Sequence, residues 1–234
     1  FAFNHLNQKI IVQNKDDLKV LVNWGVLNLS KVKLLKGSGV KLENFINLDE
    51  PSGTPVVCFA ARLLRDKGVY EYVSAVRLLK ERGIKAEFLL AGDLDINNPT
   101  GLKLKDLNKI RDEGYVKIIG YQKDIATLYA KSHIICLPSY REGFPKSLIE
   151  AMGSGCVVIA SSIDNNQELI TNDKDGYTFE LEKNGLLEVY KDTLSKNVNE
   201  LKNIHQNAIL KIEENYKLEV IMKETISDFE SVVD

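Results

Sequence analysis

The feature that most constrains this sequence is an alternation that begins near residue 55. Short, largely apolar runs at 56–60, 87–91, 116–119, 134–137 and 157–160, broken only by Glu87 and Lys117, are separated by single segments with apolar residues at helical spacing. Val69, Tyr72, Val73, Val76 and Leu79 are one such series, and Leu104, Leu107 and Ile110 another. A strand that is apolar at every position has both faces buried. The alternation therefore predicts an α/β fold, a Rossmann-like doubly wound parallel sheet with helices on both faces. Each crossover is expected to be right-handed. A last short strand is expected at 177–179, and helix from Gly185 onward. In such sheets ligands bind beyond the carboxyl ends of the strands. The segments to search are those after Ala60, Ala91, Ile119, Leu137 and Ala160.

Ahead of this alternation the pattern is sparse. It predicts a strand at 9–12, a helix at 15–24 with Asn14 as its N-cap, and a strand at 32–35. That is too little chain to bury its own core. Residues 1–46 are therefore expected to be the remnant of a second α/β domain. Asp49, Pro51, Ser52 and Gly53 mark 47–54 as a linker. Residues 55–217 form the main domain in this reading. Residues 218–234 form a terminal helix expected to return to the absent domain. Its apolar positions Ile221, Met222, Ile226, Phe229 and Val233 would then be partly exposed. The chain opens Phe1-Ala2-Phe3 rather than on Met and is read as a piece of a longer chain. It shows no signal-peptide pattern, and no apolar run approaches the roughly 18 residues of a membrane span.

Charge and cysteine usage narrow the function. Lys plus Arg is 31 and Asp plus Glu 33, a net charge of -2 over 234 residues. General nucleic-acid binding needs a surplus of cations and is not expected. Cys58, Cys136 and Cys156 are an odd set, two of them inside apolar runs. They read as buried, reduced thiols of a cytosolic protein. His5, His133 and His205 lack metal-ligand spacing, so no metal site is expected.

The segments after the strands carry the chemistry. After Ala60 come Arg62 and Lys67, flanking a turn that opens a helix. Two cations beside a helix N-terminus suit a diphosphate, but two solvated surface cations would look the same. Gly92 follows the next strand, and Gly120-Tyr121 the third. Either glycine admits a ligand close to the backbone or simply makes a turn. Backbone groups near Gly120 could read a nucleobase edge. After Leu137 comes Glu142-Gly143-Phe144-Pro145, leading into a helix that carries Glu150. Pro145 suits the first helical turn. Eight residues of helical rise span about 12 Å, so the two carboxylates suit different parts of one extended ligand. The alternative for Glu150 is an ion pair with a nearby Lys on the helix surface. After Ala160, Glu168 follows Asp164-Asn165-Asn166-Gln167, which alone reads as a capped helix start.

Taken in order, these strings resemble the carboxyl-terminal domain of retaining glycosyltransferases of family 4, which have the GT-B fold. The matching strings are Ala61-Arg62-Leu63 with Lys67-Gly68, Leu89-Leu90-Ala91-Gly92, Ile119-Gly120-Tyr121, Glu142-Gly143-Phe144-Pro145 through Glu150-Ala151-Met152, and Glu168 with Gly176. Gly37-Ser38-Gly39-Val40 with Phe45 also looks like the family's stretch leading into its second domain. The resemblance implies that Arg62 and Lys67 bind the donor diphosphate. It implies that Glu142 and the backbone of Gly143, Phe144 and Pro145 meet the donor sugar. Glu150 would hold the ribose, Gly120 and Tyr121 the base, with Gly92 and Glu168 completing the donor site. Family members are generally metal-independent, and retention is usually ascribed to same-face attack guided by the leaving group. Glu142 is therefore not expected to be a covalent nucleophile. One departure stands out: where relatives often carry a Gly-rich turn before the last Glu, this chain has Asn165-Asn166-Gln167.

The expected function is metal-independent transfer of a sugar from a nucleotide donor, a UDP-sugar, to a polysaccharide or lipid-linked acceptor. No cofactor is expected beyond that substrate. Localisation is expected to be cytoplasmic, with peripheral membrane contact through the absent domain. The competing reading is a non-catalytic nucleotide-sugar-binding subunit or sensor. A dinucleotide oxidoreductase lacks its G-x-G-x-x-G after a first strand.

Overall fold

The computed structural model describes residues 9–25, 29–45, 53–181, 185–196 and 198–233. Of the linker expected at 47–54, residues 47–52 lie outside the described residues. Two short strands, β1 (Ile10–Val12) and β2 (Val32–Leu34), pair in parallel. Between them runs α1 (Lys15–Asn23). Asn14 caps it, its Oδ1 accepting from the Asp17 amide at 2.7 Å. Asp16 and Asp17 sit in the first turn, where the helix dipole favours negative charge. This helix buries none of its own residues.

The main sheet has six strands: β3 (Val56–Ala60), β4 (Glu87–Ala91), β5 (Lys117–Gly120), β6 (Ile134–Leu137), β7 (Val157–Ser161) and β8 (Tyr177–Phe179). All pair in parallel, in the order β5-β4-β3-β6-β7-β8. The chain runs outward from β3 to β5, crosses back, and runs outward again from β6. That reversal leaves a crevice between the carboxyl ends of β3 and β6. β5 begins one residue later than the apolar pattern suggests. Its ladder shifts between Leu90 and Ala91, so Ala91 pairs with Gly120 and the strand ends on the glycine.

Helices α2 (Val69–Glu81), α3 (Leu104–Glu113), α4 (Ile125–Ala130), α5 (Lys146–Gly153), α6 (Asp164–Leu169), α7 (Gly185–Ser195), α8 (Val198–Asn215) and α9 (Leu218–Val233) complete the fold. Alternation along each strand divides the interior in two. Val57, Phe59, Phe88 and Leu90 pack with α2, α3 and α7. Cys58, Ala60, Leu89 and Ala91 pack with α4, α5 and α8. Both faces of the central strands are thus dry, and the polar positions in the runs, Glu87 and Lys117, are exposed at the starts of β4 and β5, where they pair at 3.2 Å. All three cysteines are buried free thiols. Burial pushes the Cys58 thiol up to about 12 and raises the other two as well.

The terminal helix α9 reaches the small sheet, where Asp228 pairs with Lys9 at 3.6 Å and Lys33 at 3.4 Å. Met222, Ile226 and Phe229 are exposed, as their positions suggested. Ile221 corrects the sequence reading, for it is buried. A side chain at position 39 would sit 2.8 Å from the Leu218 backbone, so Gly39 lets the start of α9 close onto the 39–40 segment. The Leu218 amide then donates to the Val40 carbonyl at 2.9 Å. Val233 lies outside the residues whose side chains are described. Among the described residues no helix is long and apolar enough to cross a membrane.

Candidate functional site

A cleft of about 360 Å³ opens at the carboxyl ends of the strands, on the β3–β4–β5 side of the crevice that the topology predicts. Its walls come from the ends of three strands and the sides of two helices. Ala60, Ala61 and Arg62 follow β3; Ala91, Gly92 and Asp93 follow β4; Tyr121, Gln122 and Lys123 follow β5. Ile125 and Tyr129 of α4 and Ser147 and Glu150 of α5 close the other side. Of the residues singled out by sequence, the cleft brings together Arg62, Gly92, Tyr121 and Glu150.

Backbone geometry shapes this wall. Gly92 has φ 145°, and its amide donates to the Gly120 carbonyl at 2.9 Å. A side chain there would place a carbon 1.9 Å from the Ala61 carbonyl oxygen, so only glycine fits. Arg62 is 64% exposed and rests on Asp95 at 3.1 Å. An exposed pair of this kind contributes about 0–1 kcal/mol, so the guanidinium is easily re-aimed at an anion. Glu150 sits on α5, whose Leu148, Ile149, Ala151 and Met152 are buried. Helical spacing leaves Ser147 and Glu150 on the cleft side. Burial raises the Glu150 carboxyl above its ordinary range, and Lys146, 3.5 Å away, opposes part of that rise. The surface ion pair that the sequence left open is thus present, while the carboxylate still faces the cleft. No side chain caps the N-terminus of α5. The Lys146 and Leu148 amides donate to the Phe144 and Pro145 carbonyls at 2.8 and 2.9 Å, which leaves the Ser147 amide, on the cleft side, to meet an anion.

A second cluster lies where β6 ends. Lys67 Nζ donates to both carboxylate oxygens of Glu142 at 2.7 Å. Glu142 is only 8% exposed and Lys67 22%, so the pair is largely shielded from water. Ser139 Oγ also donates to Glu142 Oε1. The two chain segments meet through Gly68, which has φ 76° and opens α2. A carbon added there would lie 2.0 Å from the Pro138 carbonyl oxygen. Lys67 and Glu142 therefore form their own cluster and do not line the cleft.

The remaining candidates divide further. Gly143 is exposed in the loop before α5, while Pro145 is buried. The Phe144 ring lies against Gly37 and tilts over Tyr216, with centroids 5.5 Å apart. Gly120 terminates β5 and supports Gly92 through its carbonyl. Glu168, on α6, pairs with Lys15 of α1 at 2.6 Å and is not a cleft residue. Sequence reasoning missed Gln122, Lys123 and Ser147, although the strand-end rule and the helical spacing from Glu150 point to them. It also missed Ser139, Ser161 and Asn165. Ser161 Oγ donates to the Ser139 carbonyl, and Asn165 Nδ2 donates to the Glu142 carbonyl at 2.7 Å. These partners are 22 and 23 residues apart, and no local pattern announces them.

Comparison with known proteins gives this geometry relatives. The profile of the family described as "Glycosyl transferases group 1" matches residues 40–211. An N,N'-diacetylbacillosaminyl-diphospho-undecaprenol alpha-1,3-N-acetylgalactosaminyltransferase of Campylobacter jejuni is 32% identical over 192 residues, 75% of this chain and 47% of that protein. A UDP-Gal:alpha-D-GlcNAc-diphosphoundecaprenol alpha-1,3-galactosyltransferase of Escherichia coli is 26% identical over 168 residues, 71% of this chain and 42% of that protein. The chain thus spans about half the length of these relatives. Among solved structures, a glycosyltransferase from Rickettsia africae superposes with a TM-score of 0.84 at 21% identity, covering 97% of this chain and 64% of its own. Anabaena HepE, solved with UDP and glucose, superposes with a TM-score of 0.78 at 18% identity, covering 94% of this chain and 63% of its own.

Proposed function

Because the chain belongs to the glycosyl transferases group 1 family, we propose that it is the donor-binding part of a glycosyltransferase. In this reading the donor is a UDP-sugar and the acceptor a lipid-linked glycan or polysaccharide. The observation that carries it is the cleft at the strand ends beside the topological switch point, where Arg62, Gly92, Ser147 and Glu150 converge. Those groups match a nucleoside diphosphate part by part. Arg62 and the Ser147 amide at the start of α5 suit the diphosphate, Glu150 the ribose hydroxyls, and the wall at Tyr121 and Gln122 the base. The relatives' names, with undecaprenol-linked acceptors and a UDP-Gal donor, support the substrate classes.

As the glycosidic bond to the donor loosens, negative charge develops on the departing diphosphate. Arg62, the α5 dipole and, once released from Glu142, Lys67 would stabilise that charge as it develops. In this reading they do the work a divalent cation would otherwise do, and the transfer is metal-independent. Glu142, with the backbone of Gly143, Phe144 and Pro145, would hold the donor sugar once Lys67 turns to the diphosphate. Glu168 would serve from α6. Attack from the leaving-group face would retain the anomeric configuration, with family 4 as the class. Residues 1–46 are read as the edge of the acceptor-side domain, joined through 47–54 to the donor domain at 55–217. Residues 218–234 run back toward that edge. The exposed α1 and the Asp228 pairs with Lys9 and Lys33 support this division. The place of action is then the cytoplasmic face of the membrane, where lipid-linked acceptors are glycosylated.

Titration calorimetry with UDP, GDP and ADP, each with chelator and with Mg²⁺, tests the proposal. UDP is expected to bind with the same affinity in both conditions, and GDP and ADP more weakly. Preference for a purine diphosphate, or binding only with Mg²⁺, would overturn the donor or the metal-independence.

A further inference from the structure

The turn that carries Glu142 is held by an unusual set of side chains. Asn166 Nδ2 donates to the Ser161 carbonyl at 2.9 Å, at the end of β7. Ser161 Oγ in turn donates to the Ser139 carbonyl, and Ser139 Oγ to the Glu142 carboxylate. Asn165 Nδ2 donates to the Glu142 carbonyl at 2.7 Å. The 139–142 turn is thus tied at both ends by groups from β7 and α6.

Asn165 is the informative member. It is 3% exposed, and its Oδ1 is buried without a hydrogen-bond partner. Flipping the carboxamide does not relieve this. The Glu142 carbonyl can only accept, so nitrogen must face it and the oxygen is left over. A buried acceptor without a donor is unfavourable. A small apolar residue at 165 would avoid that cost. What asparagine supplies against that cost is one donor aimed at the main chain of Glu142. This is also the segment where the sequence departs from a glycine-rich turn.

We propose that Asn165 is a positioning residue, which fixes the backbone of Glu142 so that its carboxylate meets the donor sugar. The proposal rests on the reading of Glu142 given above. Its consequence is selective: the tie matters for the sugar and not for the nucleotide, which the separate cleft around Arg62 and Glu150 binds.

The test uses the chain with Asn165→Asp and Asn165→Ala. The first puts oxygen against a carbonyl; the second frees the Glu142 carbonyl but also removes the orphan acceptor, so the two costs offset and its melting temperature should change little. Amide hydrogen exchange is followed by mass spectrometry, and affinities for UDP and UDP-galactose are measured by calorimetry. In both variants exchange in 140–146 is expected to rise about tenfold, with β6 and β7 unchanged. Affinity for UDP-galactose should fall about tenfold while that for UDP holds. Unchanged exchange at 140–146, or an equal rise throughout, would overturn the tie. Equal losses for UDP and UDP-galactose would overturn its selectivity. If wild-type chain binds neither ligand, the donor reading fails, and the exchange result still decides for or against the tie.

Discussion

The two charged clusters at the carboxyl ends of the strands use the same kinds of residue in opposite ways. In the cleft, Arg62 is mostly exposed and loosely paired, α5 is uncapped, and Glu150 is partly desolvated beside open space. At the end of β6, Lys67 and Glu142 are shielded and satisfied by each other. The first cluster is ready for a ligand. The second must exchange an internal partner for an external one. The difference teaches that burial decides which charge is free to act: an exposed pair costs little to break, a shielded one a great deal.

The largest effect that would sharpen this contrast is at the backbone. Gly68→Ala forces a side chain at positive φ against the Pro138 carbonyl, so the variant should be insoluble or lose more than about 3 kcal/mol in urea unfolding. A normally stable Gly68→Ala would break the claim that β6 and α2 meet there without slack. Next comes Lys67→Ala, which strands the Glu142 carboxylate and should destabilise by about 3 kcal/mol. Arg62→Ala is expected to change stability by less than about 1 kcal/mol. Equal losses for the two would erase the distinction between clusters.

A smaller effect concerns pH. Burial raises the Glu150 pKa in the folded state. Between the unfolded and the folded pKa, the folded chain binds more protons, so stability falls as pH rises through that window. Glu150→Gln should remove this slope and leave the protein slightly more stable at neutral pH. Urea unfolding across the acid range measures it. A slope unchanged in Glu150→Gln would mean that the carboxylate is better solvated than its place on α5 implies.

Much of this was legible in the sequence, for physical reasons. The central strands of the main sheet are dry on both faces, so β3, β6 and most of β4 and β7 stood out as apolar runs. The strand-end rule then located Arg62, Gly92 and Tyr121 without any motif. Glu150 was legible because a carboxylate among Leu148, Ile149, Ala151 and Met152 needs a reason. The late start of β5 was not legible, because a ladder shift between Leu90 and Ala91 depends on the neighbouring strand. Nor was the burial of Ile221, which depends on a close approach to Gly39 across most of the chain. The Lys67–Glu142 pair spans 75 residues and is decided by tertiary packing alone.

The most direct test of the central claim is calorimetric titration of UDP into this chain with chelator present, beside the Arg62→Ala, Glu150→Ala double variant. The account predicts one site in the wild type, and at least a hundredfold loss in the double variant, as expected when two charge-assisted contacts of about 1.5–3 kcal/mol each are removed. UDP binding that survives in the double variant would contradict it, because the donor would then occupy some place other than the cleft between β3 and α5.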